Sequence, residues 1–232
     1  MNTIVSARQP SLFASAQSHP SGLMRSIEPF YETSAGAAYL GDSRELLRAL
    51  PDASANLVFT SPPYALHFKK EYGNVSKADY VAWFLPFARE IFRVLADDGS
   101  FVLNIGGSWN PGSPTRSLYH YKLMIALVEE IGFHLAQECY WYNPAKMPVP
   151  AEWVTVRRVR IKDSVEHVWW LSKTAFPKAD NRQVQSPIAR ICCDWPSAGY
   201  GPPCARLATT SLPRSTRSTQ VALFLQMFWR IK

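Results

Sequence analysis

The residues with the clearest chemical potential are Thr60-Ser61-Pro62-Pro63-Tyr64, which follow the apolar run "LVF" and give way to the stretch "ALHFKKEYGN". Each proline fixes its own φ and pushes the residue before it toward extended geometry, so Ser61, Pro62 and Pro63 make a stiff corner. Neither proline has an N–H, which leaves their carbonyls as fixed acceptors. Ser61 adds a hydroxyl, and Tyr64 adds a flat ring with a polar tip. This set suits an amino group carried on an aromatic ring. Such a nitrogen is a weak nucleophile because its lone pair is delocalised. Two aligned acceptors, the Ser61 hydroxyl and the Pro62 carbonyl, would hold both N–H bonds and favour the pyramidal form that attacks. The face of Tyr64 would hold the ring by stacking. A proline-rich turn with an incidental tyrosine is the competing reading, and the position directly after a strand-like run favours the chemical one.

The elements around this corner read as strands alternating with helices. "AAYLGDS" is a short apolar run closed by Gly41 and Asp42, and "SRELLRALPD" sets Leu46, Leu47 and Leu50 on one helical face before Pro51 stops it. "ANLVFT" reads as a strand, "KADYVAWFLPFAREIFRVLADDG" as a long apolar-faced helix with a glycine just past its end, and "SFVLNIGG" as the next strand. "SLYHYKLMIALVEEIGF" predicts a further helix with Gly132 near its end, and "HLAQECYWYN" an extended segment. "EWVTVRRVRIKD" and "VEHVWWLSK" predict two strands turning at Asp163-Ser164, an antiparallel hairpin closing one edge. The fold class is α/β, a mostly parallel sheet with flanking helices. Ligands of open α/β sheets sit beyond the carboxyl ends of the strands. That gathers Gly41-Asp42, the Ser-Pro-Pro-Tyr corner and Asn104-Ile105-Gly106-Gly107 along one rim.

Length and composition bound the rest. A chain of 232 residues with 47% apolar content has material for one sizeable core. Residues 1–30, rich in Ser, Ala and Pro without periodicity, read as a flexible N-terminal arm. No apolar run reaches the ~18 to 20 residues of a membrane span, and the N-terminus lacks the apolar centre of a signal peptide, so a cytoplasmic protein is expected. Cys139, Cys192, Cys193 and Cys204 lack zinc-site spacing and read as free thiols. The net charge of +7 is unevenly spread: from residue 187 on, six basic residues stand against one acidic, while the preceding residues hold 19 basic and 17 acidic. Overall charge is therefore poor evidence for nucleic acid, and local placement has to decide.

"TSPPY" resembles motif IV of the amino-methyltransferases that act on DNA bases with S-adenosylmethionine as donor. Serine in its first position is typical of cytosine-N4 enzymes, where adenine-N6 enzymes usually carry aspartate. With "GDSRELLRALPDASANLVFTSPPYALHFKKEYGN", "DGSFVLNIGGSW", "CYWYNPAKMPVPAEWVTVRRVRIKD" and "VWWLSKTAFPK", the chain is similar over residues 36–186 to the PvuII-type cytosine-N4 methyltransferases. The resemblance implies a Rossmann-like methyltransferase domain in a restriction-modification system, with duplex DNA as partner, a cytosine flipped out of the stack, and no metal. It implies that Ser61, Pro62, Pro63 and Tyr64 form the target-amine pocket and that Asp42 lies near the cofactor's adenine. Adenine-N6 methylation, and an inactive remnant with at most weak DNA binding, are the alternatives.

Further residues carry two readings each. Asp42 can accept from the adenine amino group or cap the helix that follows, a task open also to Ser43. Asn104 can contact the flipped base or satisfy backbone groups. Gly106 and Gly107 are weak evidence for a cofactor cradle. Trp141, Tyr142 and Asn143 can form an aromatic wall for the base or pack in the core. Strand alternation would put Arg158, Arg160 and Lys162 on one face, with Arg157 opposite, as a phosphate stripe or as charges protecting an edge strand. Lys69 and Lys70, in the loop after the corner, are phosphate-contact candidates, and Trp169 and Trp170 read as packing.

The resemblance stops at about residue 187. The family continues with a target-recognition region and a Phe-x-Gly-x-Gly loop that wraps the methionine part of the cofactor. Residues 187–232 show neither, and "SAGYG" has no apolar strand leading into it. The expectation is an incomplete sheet ending in a divergent tail, the product of a truncated or frame-shifted gene, with sheet strands left at an exposed edge.

Overall fold

The computed structural model describes residues 20–24, 26–66, 74–181 and 222–224. Lys69 and Lys70 lie outside the described residues, as does most of the tail, including Cys192, Cys193, Cys204 and "SAGYG".

Two short strands, β1 (Tyr31–Thr33) and β2 (Gly36–Ala38), open the folded part as an antiparallel pair. The Thr33 hydroxyl accepts from the Ala35 and Gly36 amides and closes the turn between them. This corrects the expectation for "AAYLGDS": its first residues pair locally with Tyr31–Thr33 and do not enter the main sheet. Within the stretch read as an arm, Met24 is buried in the core.

Helix α1 (Ser43–Ala49) begins at Asp42, whose Oδ1 accepts from the Arg44 amide at 2.8 Å, and buries Leu47. Strand β3 (Ala55–Thr60) coincides with the run read from sequence. Helix α2 (Tyr80–Val94) buries Tyr80, Phe84, Phe87, Ala88, Ile91 and Val94, an apolar stripe at helical spacing. Pro86 within it has no amide to donate to the Ala82 carbonyl, and Ala82 lies on the exposed face of the helix. Arg93, near the end of α2, donates to the carbonyls of Leu47 (2.8 Å) and Leu50 (2.9 Å) at the C-terminus of α1, and it pairs with Glu90 and Asp52. One guanidinium thus adds hydrogen bonds to the terminal carbonyls of a neighbouring helix and complements its dipole.

Strand β4 (Leu95–Ile105) starts directly after α2. Asp97 and Asp98, read as the end of the helix, and Gly99, read as lying just past it, instead form a bulge inside the strand: Ala55 pairs with Leu95, but Leu57 already pairs with Ser100. A short pair, β5 (Ser108–Trp109) and β6 (Arg116–Ser117), leads into α3 (Tyr119–Ala126), which continues as a wider turn through Ile131 and ends at Gly132 with φ 95°. Strands β7 (His134–Tyr142), β8 (Val165–Ser172) and β9 (Ala222–Phe224) complete the main sheet, in the order β7-β8-β4-β3-β9.

In that sheet β4, β3 and β9 run parallel, while β8 lies antiparallel to both β4 and β7. Four of these strands therefore point one way and β8 is reversed, as expected of a mostly parallel Rossmann-like sheet with an antiparallel edge. The hairpin, however, is built from other residues than "EWVTVRRVRIKD". Both edges of β8 are taken, by β4 and β7, so no second position beside it remains. Glu152–Val156 form one helical turn, and the amides of Val159 and Arg160 both turn back to the Trp153 carbonyl, leaving no ladder of donors. At the other edge, Leu57–Phe59 of β3 are paired with Ala222–Phe224, so the tail covers part of an edge expected to be bare.

Candidate active site

The Ser-Pro-Pro-Tyr corner sits at the carboxyl end of β3, with Ser61 exposed, Pro62 buried and Pro63 and Tyr64 half-buried. Three neighbours hold it. Tyr80, fully buried in α2, donates its hydroxyl to the Pro63 carbonyl at 2.8 Å. Tyr119, at the start of α3, donates to the Gly106 carbonyl, and its ring meets Tyr80 edge-on at 4.8 Å. Burial raises the pKa of both phenols, so they stay protonated donors. The Tyr64 ring lies directly on Gly106: a Cβ there would come within 2.6 Å of Tyr64 Cε2. Gly107 likewise makes room for the Arg116 guanidinium. Close contacts inside the chain are thus sufficient to account for the two glycines. The Pro63 carbonyl, read from sequence as an open acceptor, is occupied by Tyr80.

The Tyr64 hydroxyl lies 2.6 Å from Asn104 Oδ1, 2.8 Å from Glu166 Oε2 and 3.3 Å from Ser61 Oγ. One phenol proton cannot serve two acceptors. The carboxylate is the stronger acceptor, so the proton goes to Glu166, and Asn104 meets the same geometry with its amide turned to donate from Nδ2. Glu166 Oε1 pairs with Lys146 Nζ at 3.3 Å, and the carboxyl side chain is only 12% exposed. Antiparallel pairing sets Asn104 opposite Val168 and Trp141 opposite Glu166. With side chains alternating along each strand, Asn104, Glu166 and Trp141 therefore share one face of the sheet.

That register separates residues the sequence had grouped. Trp141, 51% exposed, stands on the Glu166 face. Tyr142, also exposed, faces the other way, alongside Tyr140, whose ring lies 5.4 Å from His167. Neither Trp141 nor Tyr142 is core. Asn143 is engaged locally, its Oδ1 accepting from the Ala145 amide. Asp42 is the helix cap described above, placed by α1 and not by a strand of the main sheet. The residues expected as a stripe by alternation are exposed on an irregular segment: Arg158, at φ 55°, donates to the Thr155 carbonyl, Arg160 to that of Pro114 and Lys162 to that of Pro144. Trp169 is buried, and Trp170 donates to the Ser100 hydroxyl. Among the described residues, Cys139 is a free, exposed thiol and no group of His, Cys, Asp or Glu is placed to share a metal ion.

Sequence reasoning missed Glu166, Lys146, Tyr80 and Tyr119. It also missed a cluster on the opposite face, where His120 is fully buried with its ring centroid 5.0 Å from that of His167. The only signal available for Glu166 was its alternation with Val168 and Trp170, which fixes a face but not a partner.

The model of the family described as DNA methylase matches residues 55–191. The chain belongs to the DNA methylase family. It is 51% identical over 162 residues to the Type II methyltransferase M.PvuII of Proteus hauseri, covering 70% of this chain and 48% of that protein. It is 34% identical over 158 residues to the Type II methyltransferase M.SfiI of Streptomyces fimbriatus, covering 60% of this chain and 36% of that protein. The solved structure of PvuII DNA methyltransferase (cytosine-N4-specific) superposes with a TM-score of 0.63 at 49% identity, covering 69% of this chain and 57% of that one. This DNA methylase chain thus spans about half the length, or less, of these two curated relatives. No helix among the described residues is long and apolar enough to cross a membrane.

Proposed function

We propose that this chain transfers a methyl group from S-adenosylmethionine to the exocyclic N4 amine of a cytosine extruded from duplex DNA, as the modification activity of a restriction-modification pair. The observation that carries this reading is the exposed Ser61 hydroxyl on a stiff diproline corner, beside a tyrosine ring clamped between Gly106, Asn104 and Glu166. The Ser61 hydroxyl and the Pro62 carbonyl accept the two N–H bonds of the amine. The Tyr64 ring stacks on the extruded base. Trp141, exposed on the same face of the sheet, is the candidate wall of the pocket. Arg158, Arg160 and Lys162, with Lys69 and Lys70, supply positive charge for phosphates.

The donor, when bound, supplies an electrophilic methyl group on a positively charged sulfur. The residues present fit its adenosine end: Asp42 is exposed and uses Oδ1 for the helix cap, and its second oxygen can accept from an adenine amino group.

The test is to incubate the full chain with methyl-labelled donor and duplex DNA, digest the DNA and identify the labelled nucleoside. N4-methylcytosine is expected, and Ser61→Ala should lower the rate by about 10²-fold with donor affinity kept. Label in methyladenine would move the target to adenine, and no label in any DNA would overturn the reading.

A further inference from the structure

The geometry points to Glu166 as the end of a proton relay, Ser61 to Tyr64 to Glu166, that drains the methylated amine. This rests on the methyl-transfer reading and adds to it a positioning residue that acts through Tyr64. Ser61 Oγ and Tyr64 Oη are 3.3 Å apart, and Tyr64 Oη and Glu166 Oε2 are 2.8 Å apart. The chain of contacts thus runs from the exposed mouth of the corner to a mostly covered carboxylate.

The reaction needs such an outlet. As the amine nitrogen bonds to the methyl carbon, the sulfur–carbon bond of the donor breaks and sulfur keeps that pair as a neutral thioether. The nitrogen then holds one proton too many. It passes that proton to Ser61 Oγ and retains the N–H electron pair. Ser61 releases its own proton to Tyr64 Oη, and Tyr64 releases its proton to Glu166 Oε2, so the carboxylate ends as a carboxylic acid and solvent takes the proton from it. Of the three described groups Ser61, Asn104 and Glu166 that bond to the Tyr64 hydroxyl, Glu166 is the one that can end the relay: Asn104 is an amide, and Ser61 passes a proton on. Lys146 holds Oε1 and leaves Oε2 toward the phenol.

Glu166→Gln separates this role from simple anchoring, because a glutamine carbonyl still accepts from Tyr64 but takes no proton. In single-turnover methylation across a pH range, the full-length Glu166→Gln chain should be slower by about 10²-fold near neutrality. The gap should narrow at high pH, where solvent base takes over. Combining Glu166→Gln with Tyr64→Phe should add nothing to Tyr64→Phe alone. A readout free of turnover is ¹³Cζ-tyrosine NMR of the apo chain: the Tyr64 signal, assigned by its loss in Tyr64→Phe, should move with Glu166→Gln. A Glu166→Gln rate within twofold of the parent with the same pH profile, or an unmoved Tyr64 signal, overturns the relay while leaving methyl transfer intact. No transfer by the parent chain overturns both.

Discussion

Tyr80 and Pro63 are joined by a 2.8 Å hydrogen bond from a fully buried phenol to a carbonyl on the corner. The bond ties the first turn of α2 to a backbone oxygen that no strand or helix uses. Tyr80→Phe keeps the ring and strips the donor, leaving the carbonyl without it. The expected cost is about 1 to 2 kcal/mol of stability, read as a lower urea midpoint at unchanged slope. Methylation should slow as well, since the corner loses one of its three holds. Unchanged values on both counts would show that the prolines hold the corner alone.

Gly106→Ala tests the seat of Tyr64. A Cβ at that position would stand 2.6 and 2.8 Å from two ring carbons, closer than non-bonded carbons approach, so the ring must swing away and its hydrogen bonds to Asn104 and Glu166 must lengthen. Thermal unfolding should shift by a few degrees at most, because the ring is half-buried and has somewhere to go. Methylation should fall by at least about tenfold, as mispositioning of reacting groups does. Equal losses in folding and turnover would argue for a general packing defect instead.

Asp42 holds two roles that substitution can split. Asp42→Ala removes both the helix cap and the carboxylate, and should cost about 1 kcal/mol of stability together with donor affinity. Asp42→Ser restores an N-cap oxygen without a charge, so stability should recover while affinity for S-adenosylmethionine stays low in a calorimetric titration. Recovery of both would assign Asp42 to the cap alone.

His120 predicts how the fold responds to acid. Its pKa is pushed down to about 4, first by burial and then by the neighbouring His167 and Arg116. Neither ring nitrogen has a hydrogen-bond partner among the described residues. Between about pH 6.5 and 4 the unfolded chain binds a proton that the folded chain refuses, so stability is fully present above that window and is lost as pH falls through it. His167, lowered by its own burial, adds in the same direction. His120→Leu should flatten the fall in melting temperature between pH 6.5 and 5. It should cost little at pH 7, because it removes unpaired buried nitrogens at similar volume. A slope as steep as the parent's would place the acid sensitivity elsewhere.

Local chemistry made several of these features legible before any coordinates. The bounds of β3 follow from a β-branched and aromatic run that ends at prolines, and the end of the α3 segment from Gly132, which takes the left-handed conformation open to glycine at low cost. The corner was legible for the same reason, since proline dihedrals and adjacent side chains are properties of neighbours in the chain. Segment 152–162 was misread on equally local grounds. Its alternating apolar and basic residues match a strand, but strand formation needs an open edge, and both edges of β8 are filled by other strands, β7 and the more distant β4. Asp97-Asp98-Gly99 was misread because a bulge inside β4 depends on where Ala55 and Leu57 find their partners.

The sequence by itself determined the chemistry on offer: a hydroxyl, two rigid carbonyls and an aromatic ring at a strand end, in a chain whose alternating strands and helices form a sheet. Only the tertiary structure decided what those groups touch. Tyr64 meets Glu166 across 102 residues because the register of β8 between β4 and β7 turns one face of three strands toward the corner. A side-chain period of two assigns a residue to a face, but a shift of one residue in pairing would send Glu166 to the opposite side. Register is set by the packing of the whole sheet, and no short stretch of the chain contains it.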